Sequence, residues 1–153
     1  MRSPIRFCLD SNILVYAVDS TEPRRHAAAI DIIARAARRD CVLVPQVLAE
    51  FFHAVTRKRM MSHADAAREA SAWMTIFPLM AGPTAAALST AMAEAVAGRY
   101  QFYDALLIAT ARDGGCTALI TEDMSPGAVL DGVRIVPAFD GKPAISKDAL
   151  ALL

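Results

Sequence analysis

Short apolar runs alternate along this chain with longer stretches in which apolar residues recur every three or four positions. The runs at residues 5–9, 41–44, 118–121 and 133–136 read as strands, bounded by turn and helix-start residues. Between them the periodic stretches predict helices. One begins at about Asn12 and a second covers 24–39, opened by Thr21, Glu22 and Pro23. A third runs from Pro45, a favoured first helical residue, to about Arg59. Ser62 and Asp65 stand at capping-box spacing before a helix that ends near Ile76. An alanine-rich helix spans 84–97 and stops at Gly98; another spans 104–112 and stops at Gly114 and Gly115. Asp131 and Gly132 mark a turn before the last strand. The tail after Pro137 is turn-rich until residues 146–153, which add a final amphipathic turn or two. Strands alternating with helices predict an α/β fold with a mostly parallel central sheet, and 153 residues suit a single domain over 1–153.

Composition narrows the class. Hydrophobic residues make up 55% and charged residues 21% of the chain, which excludes a disordered protein. The formal net charge is +0, so no overall basic field marks a nucleic-acid binder. Binding to RNA must then rest on a local patch, for which the run Arg57, Lys58, Arg59, with Arg99, is the candidate; a solvated helix end is the plainer meaning of such a run. Three widely spaced cysteines, Cys8, Cys41 and Cys116, without a C-x-x-C pair, argue against a disulfide framework or structural zinc and fit a reducing cytosol. Cys8 lies in an apolar run and reads as core. Met60, Met61, Met74, Met80 and Met92 read chiefly as packing residues, with an adaptable partner surface as the alternative. The first ten residues hold too few apolar positions for a signal sequence, and no segment approaches the roughly 18 apolar residues of a membrane span. A cytoplasmic protein without a membrane partner is expected.

Candidate chemistry concentrates in four acids at changes of chain direction: Asp10, Glu50, Asp104 and Asp123. Asp10 and Asp123 follow strand-like runs, placing them at the carboxyl edge of a parallel sheet, where ligands bind in open α/β folds. Asp10, Ser11 and Asn12 are three capping-competent residues in a row, so Asp10 reads either as a helix cap or as a ligand. Glu50 shares a polar arc with Gln46, His53 and Arg57, opposite Val47, Leu48, Phe51, Phe52 and Val55. That arc reads as a solvated face with a Glu50–His53 contact, or as the lining of a groove. Asp104 lies on an apolar stripe with Leu107, Ile108 and Ala111, as a first-turn acid favoured by the helix dipole or as a ligand. Asp123 either begins a turn or completes the group. Two carboxylates about 5 Å apart repel by roughly 3 kcal/mol at an effective dielectric near 20. An acidic cluster therefore holds a proton or a divalent cation, and hard oxygen donors suit magnesium or manganese.

The segments LDSNILVYA, VPQVLAEFFHAVTRK, FYDALLIATARDGGC and ALITEDM, with the later GVRIVPAF, together resemble the PIN-domain ribonucleases. Within them they are most similar to the VapC-type toxins of bacterial type II toxin–antitoxin systems. The resemblance runs in order along nearly the whole chain. It implies a PIN-like α/β/α sandwich with a twisted central sheet, and a Mg2+- or Mn2+-dependent endoribonuclease. Asp10 and Asp104 would be the principal metal ligands, with Glu50 and Asp123 completing the catalytic acids and Ser11, Asn12 and Thr121 supporting them. Glu122 competes with Asp123 for the fourth place, and alignment of TEDM favours Asp123. Implied partners are an RNA substrate, a small cognate antitoxin whose C-terminal segment lies near the acids, and a second copy in a homodimer. The implied reaction is in-line attack of a metal-activated water on an RNA phosphodiester. A stand-alone RNA-processing PIN nuclease is the alternative, and behind it a non-catalytic RNA-binding module. The aspartyl-phosphate enzymes of haloacid-dehalogenase type also place an Asp after the first strand, but they want an Asp where this chain has Asn12.

Overall fold

The computed structural model describes residues 4–153. The reading of the N-terminal segment falls in part on residues 1–3, outside the described residues. Five strands and seven helices occur among the described residues. Strands β1 (Phe7–Leu9), β2 (Cys41–Val42), β3 (Ala118–Thr121), β4 (Val129–Leu130) and β5 (Val133–Pro137) form one sheet in the order β2-β1-β3-β5-β4. All pairings are parallel except β4 with β5. Strands β1, β2 and β3 are buried at every position, the pattern of a sheet covered on both faces. This is the α/β fold the alternation predicts.

The strand order opens a crevice at one edge of the sheet. From β1 the chain first adds β2 on one side and later returns to add β3 on the other. The carboxyl ends of β1 and β3 therefore flank the point where the winding reverses, the place that open parallel sheets leave for ligands.

Seven helices surround the sheet: α1 (Ser11–Val18), α2 (Pro23–Ala36), α3 (Pro45–Arg57), α4 (His63–Ile76), α5 (Ala85–Val96), α6 (Phe102–Asp113) and α7 (Lys147–Leu150). The main core joins Phe7, Leu9, Ile13, Leu14, Phe51, Leu119 and Ile120 to many smaller residues. Phe51 of α3 meets Trp73 of α4 edge to face with ring centroids 4.7 Å apart. A second, smaller core lies between α5 and α6, built from Ala87, Ala91, Ala105, Leu106 and Ala109. Alanines there let the two helices approach closely. Cys8, Cys41 and Cys116 are buried free thiols; burial raises all three above the ordinary thiol range, as expected of inert core residues. Met60, Met61 and Met80 pack against the core, whereas Met74 and Met92 are exposed.

Several boundaries differ from the sequence reading: β1 starts at Phe7 rather than residue 5, β2 ends at Val42 rather than 44, and α2 ends at Ala36 rather than 39. Helix α3 stops at Arg57 rather than Arg59: Arg59 takes a left-handed φ of 54°, and both Met60 and Met61 donate their N–H to the Val55 carbonyl, folding the chain back. Helix α6 starts two residues before Asp104, which puts that acid in the first turn where the helix dipole favours it. Strand β4 was not expected. It pairs with β5 through a two-residue turn in which Asp131 and Gly132 have φ of 51° and 80°, the consecutive positive angles of a type I′ hairpin.

Candidate active site

Leu9 ends β1, and Asp10 then adopts an extended conformation as the N-cap of α1. Its Oδ1 accepts the Ser11 N–H at 2.6 Å, satisfying one of the orphan donors at the helix start. Its Oδ2 accepts the Thr121 hydroxyl at 2.7 Å from the end of β3. The two readings of Asp10 thus coexist: it caps α1 and also faces the crevice between β1 and β3. Only 6% of the residue is exposed.

Thr121 ties the group together. Its Oγ1 donates to Asp10, accepts Asn12 Nδ2 at 3.2 Å and accepts the Asp123 backbone N–H at 3.2 Å. Asn12 Nδ2 also donates to Asp123 Oδ2 at 3.0 Å, which orients the fourth acid toward the first. On the other side, the Ser11 hydroxyl donates to Glu50 Oε2 at 2.8 Å, and Gln46 Nε2 donates to Glu50 Oε1 at 2.7 Å. Glu50 therefore turns along α3 toward Ser11 and Gln46, and the contact open to it with His53 is not among its hydrogen bonds. The same Gln46 amide donates to the Tyr103 carbonyl at 2.9 Å, linking α3 to the first turn of α6 beside Asp104.

Asp10 and Asp104 feel the charge of the other acids. Burial pushes the Asp10 carboxyl up to about 6, against the opposing hydrogen bonds from Thr121 and Ser11, and the negative charges of Glu50 and Asp123 add to the rise. Asp104 is raised as well, first by burial and then by the same two acids. Glu122 lines a cleft together with Asp123 but has other partners. Arg25 Nε donates to its carboxylate at 3.0 Å, and beside it stands Tyr16, whose hydroxyl is pushed up to about 12 by burial and by Glu122. Geometry therefore groups Asp123, not Glu122, with Asp10, Glu50 and Asp104.

Three open clefts meet at the acids. One of about 360 Å³ is lined by Arg99, Tyr100, Asp104 and Asp123, and one of about 420 Å³ by Ser11, Asn12, Lys58 and Asp123. A third, of about 350 Å³, has Glu50 and Tyr103 in its walls. Of the four basic residues singled out in the sequence, all exposed, Lys58 and Arg99 each line one of these clefts, and Arg57 and Arg59 line none of them. Arg57 and Lys58 close the end of α3, a placement the helix dipole alone would favour. Gln46 and Tyr103 were not singled out as site residues; periodicity placed Gln46 on the polar arc, but nothing local tells that its amide spans two helices.

A family model for the PIN domain matches residues 7–125, a span that contains all four acids. The chain belongs to the PIN domain family. Solved structures similar to this PIN domain include PAE2754 of Pyrobaculum aerophilum, 22% identical with a TM-score of 0.57 over 86% of this chain and 90% of that one. VapC20 of Mycobacterium tuberculosis, described as a Sarcin-Ricin loop cleaving toxin, is 19% identical with a TM-score of 0.59 over 74% of this chain and 86% of its own. VapBC2 of Rickettsia felis, solved bound to a DNA fragment from their promoter, is 14% identical with a TM-score of 0.62 over 87% and 98%. These likenesses concern the fold. No curated protein matches the sequence at a significant level.

The residues of this PIN domain fit a divalent cation in charge and donor type. Two carboxyls are raised by burial and like charge, and the donors are hard oxygens. Buried Asn12 Oδ1 adds an oxygen without a hydrogen-bond partner. As the side chains stand, no group of three His, Cys, Asp or Glu among the described residues is close enough to enclose an ion. No helix among them is long and apolar enough to cross a membrane.

Proposed function

We propose that this protein is a metal-dependent endoribonuclease, the toxin of a toxin–antitoxin pair. The observation that carries the reading is the convergence of Asp10, Glu50, Asp104 and Asp123 at the switch point of the sheet, with Asp10 and Asp104 raised by burial and then by the charge of the other two. A site of this kind wastes stability unless a cation or a cationic group offsets the repulsion. Membership of the PIN family and the fold likeness to two proteins of VapC systems support the choice of RNA and of the toxin role.

In this reading Asp10 and Asp104 would hold Mg2+ or Mn2+, with Glu50 and Asp123 completing the acidic group. A bound divalent ion supplies Lewis acidity toward a phosphate oxygen and lowers the pKa of water. The chain's own residues orient and buffer. Ser11 N–H and the Thr121 hydroxyl fix the two oxygens of Asp10, and Asn12 fixes Asp123. Glu50, held by Ser11 and Gln46, is the carboxylate placed to take a proton at Oε1 or Oε2. Lys58 in its cleft faces the phosphate backbone. The remaining partners are a small antitoxin that covers the acids with a basic side chain, and a second copy of the chain. The exposed line Leu88, Met92 and Val96 along α5 supports a homodimer. We further propose that residues 1–153 act as one domain, in the cytoplasm.

The test is cleavage of RNA by the purified protein with Mg2+ or Mn2+, with Asp10→Asn and Asp104→Asn as controls. Cleavage that both substitutions and EDTA abolish supports the reading. Full activity in EDTA overturns the metal dependence, and full activity in either variant removes that residue from the site.

A further inference from the structure

The cleft between α3 and α6 has walls of a different character from the other two. Its α3 side is Gln46, Ala49, Glu50 and His53, which fall at i, i+3, i+4 and i+7 on one helix face, and its α6 side is Tyr103. Tyr103 is 65% exposed and, among the described residues, the only Phe, Tyr or Trp that is exposed. A single exposed aromatic residue is ordinary on a protein surface. This one is held in place. Its ring meets the edge of Phe102 at 5.0 Å between centroids, and its carbonyl is clamped by the Gln46 amide that also holds Glu50.

Charge decides what the cleft takes. Its walls are mainly apolar, and its one carboxylate, Glu50, repels a phosphate. A flat, neutral group with a hydrogen-bond donor on its edge fits: one face against Tyr103, the donor toward Glu50 or His53. An unpaired nucleobase has both features, and base stacking on an exposed aromatic residue is how single-stranded nucleic acid is gripped. Because Tyr103 precedes Asp104 in the chain and Glu50 belongs to both the cleft and the acidic group, a base held here lies beside the acids. We infer that the Tyr103 cleft is a stacking slot for one unpaired base of the RNA, next to the phosphodiester that the acids act on. The inference rests on the nuclease reading for its ligand.

The test separates the two. Single-stranded RNA oligomers carrying 2-aminopurine at successive positions are titrated into the full-length Asp10→Asn protein in Mg2+. One position should be quenched on binding. Adding Tyr103→Leu should remove that quench and weaken binding about tenfold, within the range for loss of one stacked base, while Tyr103→Phe and Tyr103→Trp retain both. An abasic residue at the quenched position should weaken binding to the Tyr103 protein and have little further effect on the Leu variant. Quench and affinity unchanged in Tyr103→Leu, or equal losses from the abasic residue in both proteins, overturn the slot; if the Asp10-intact protein still cleaves RNA, the nuclease reading survives. A Tyr103-dependent quench in a protein that cleaves no RNA keeps the slot as a binding site and overturns the nuclease. No RNA binding at all overturns the slot.

Discussion

Replacing Asp10 with Asn should stabilise the protein in the absence of divalent cations, and the structure sets the size of the effect. Burial and the charges of Glu50 and Asp123 raise the Asp10 carboxyl from 3.8 to about 6. Two units correspond to about 3 kcal/mol between the protonated and ionised forms, so keeping Asp10 ionised at neutral pH costs the folded state about that much. Asn removes the charge but has one acceptor oxygen where the carboxylate uses two, for Ser11 N–H and for the Thr121 hydroxyl. Losing one of these bonds costs about 1 kcal/mol. The net gain is about 2 kcal/mol, or roughly 4–8 °C in Tm for a chain of this size. The sign with pH follows from the folded pKa lying above the unfolded one. Between about pH 4 and 6 the folded state holds a proton that the unfolded state releases, so the penalty is absent below the unfolded value of 3.8 and complete above about 6. Thermal melts of both proteins in EDTA from pH 4 to 8 read this directly: the wild type should fall behind Asp10→Asn as pH rises through that window. Adding Mg2+ should restore the wild type more than the variant, because only a ligand bound to the folded state stabilises it. Parallel pH profiles, or an Asn variant less stable at pH 7.5 in EDTA, would refute the electrostatic account.

Asp104→Asn should abolish most cleavage by removing a proposed metal ligand, and should gain stability at neutral pH in EDTA because burial raises the Asp104 carboxyl, read by the same melts. Asp123→Asn should impair cleavage while Glu122→Gln should not, since Glu122 is engaged by Arg25 and Asp123 by Asn12; equal rates in a gel-based cleavage assay would return the assignment to the open register. Thr121→Val keeps the shape of a fully buried side chain but removes its three hydrogen bonds. It should cost about 1–3 kcal/mol by chemical denaturation and reduce cleavage with the fold retained by circular dichroism.

The fold was legible where local chemistry and tertiary need coincide. Strand β3 was placed at its full extent because four buried residues in a parallel sheet leave a continuous apolar signature. Strand β4 was missed because Val129 is 60% exposed and two residues carry no periodicity. The Asp131 and Gly132 pair held the information, since a type I′ turn needs a strand on each side. Of the site, Asp10 was legible from its place after β1. Glu50 was not, since a polar helix face looks the same whether water or Ser11 meets it. The choice between Glu122 and Asp123, which alignment of TEDM gave to Asp123, has its physical reason only in three dimensions, which bring Arg25 to one and Asn12 to the other.

The hydroxyl of Thr121 shows how the sheet sustains a charge group that opposes folding. A hydroxyl offers one donor and two acceptor lone pairs, and Thr121 uses the donor on Asp10 and accepts from Asn12 and from Asp123 N–H. Nothing is left over, so its orientation is fixed. That fixes in turn which oxygen of Asp10 is occupied at the floor of the crevice, and how Asp123 follows β3. Thr121 is part of the sheet, and Asp10 N–H bonds the neighbouring Ile120 carbonyl. Asp10 and Asp123 are therefore set by backbone pairing between β1 and β3 rather than by their mutual contact, which is repulsive. The pairing holds these two acids against a repulsion that raises the Asp10 carboxyl, and a cation bound beside them would remove that repulsion.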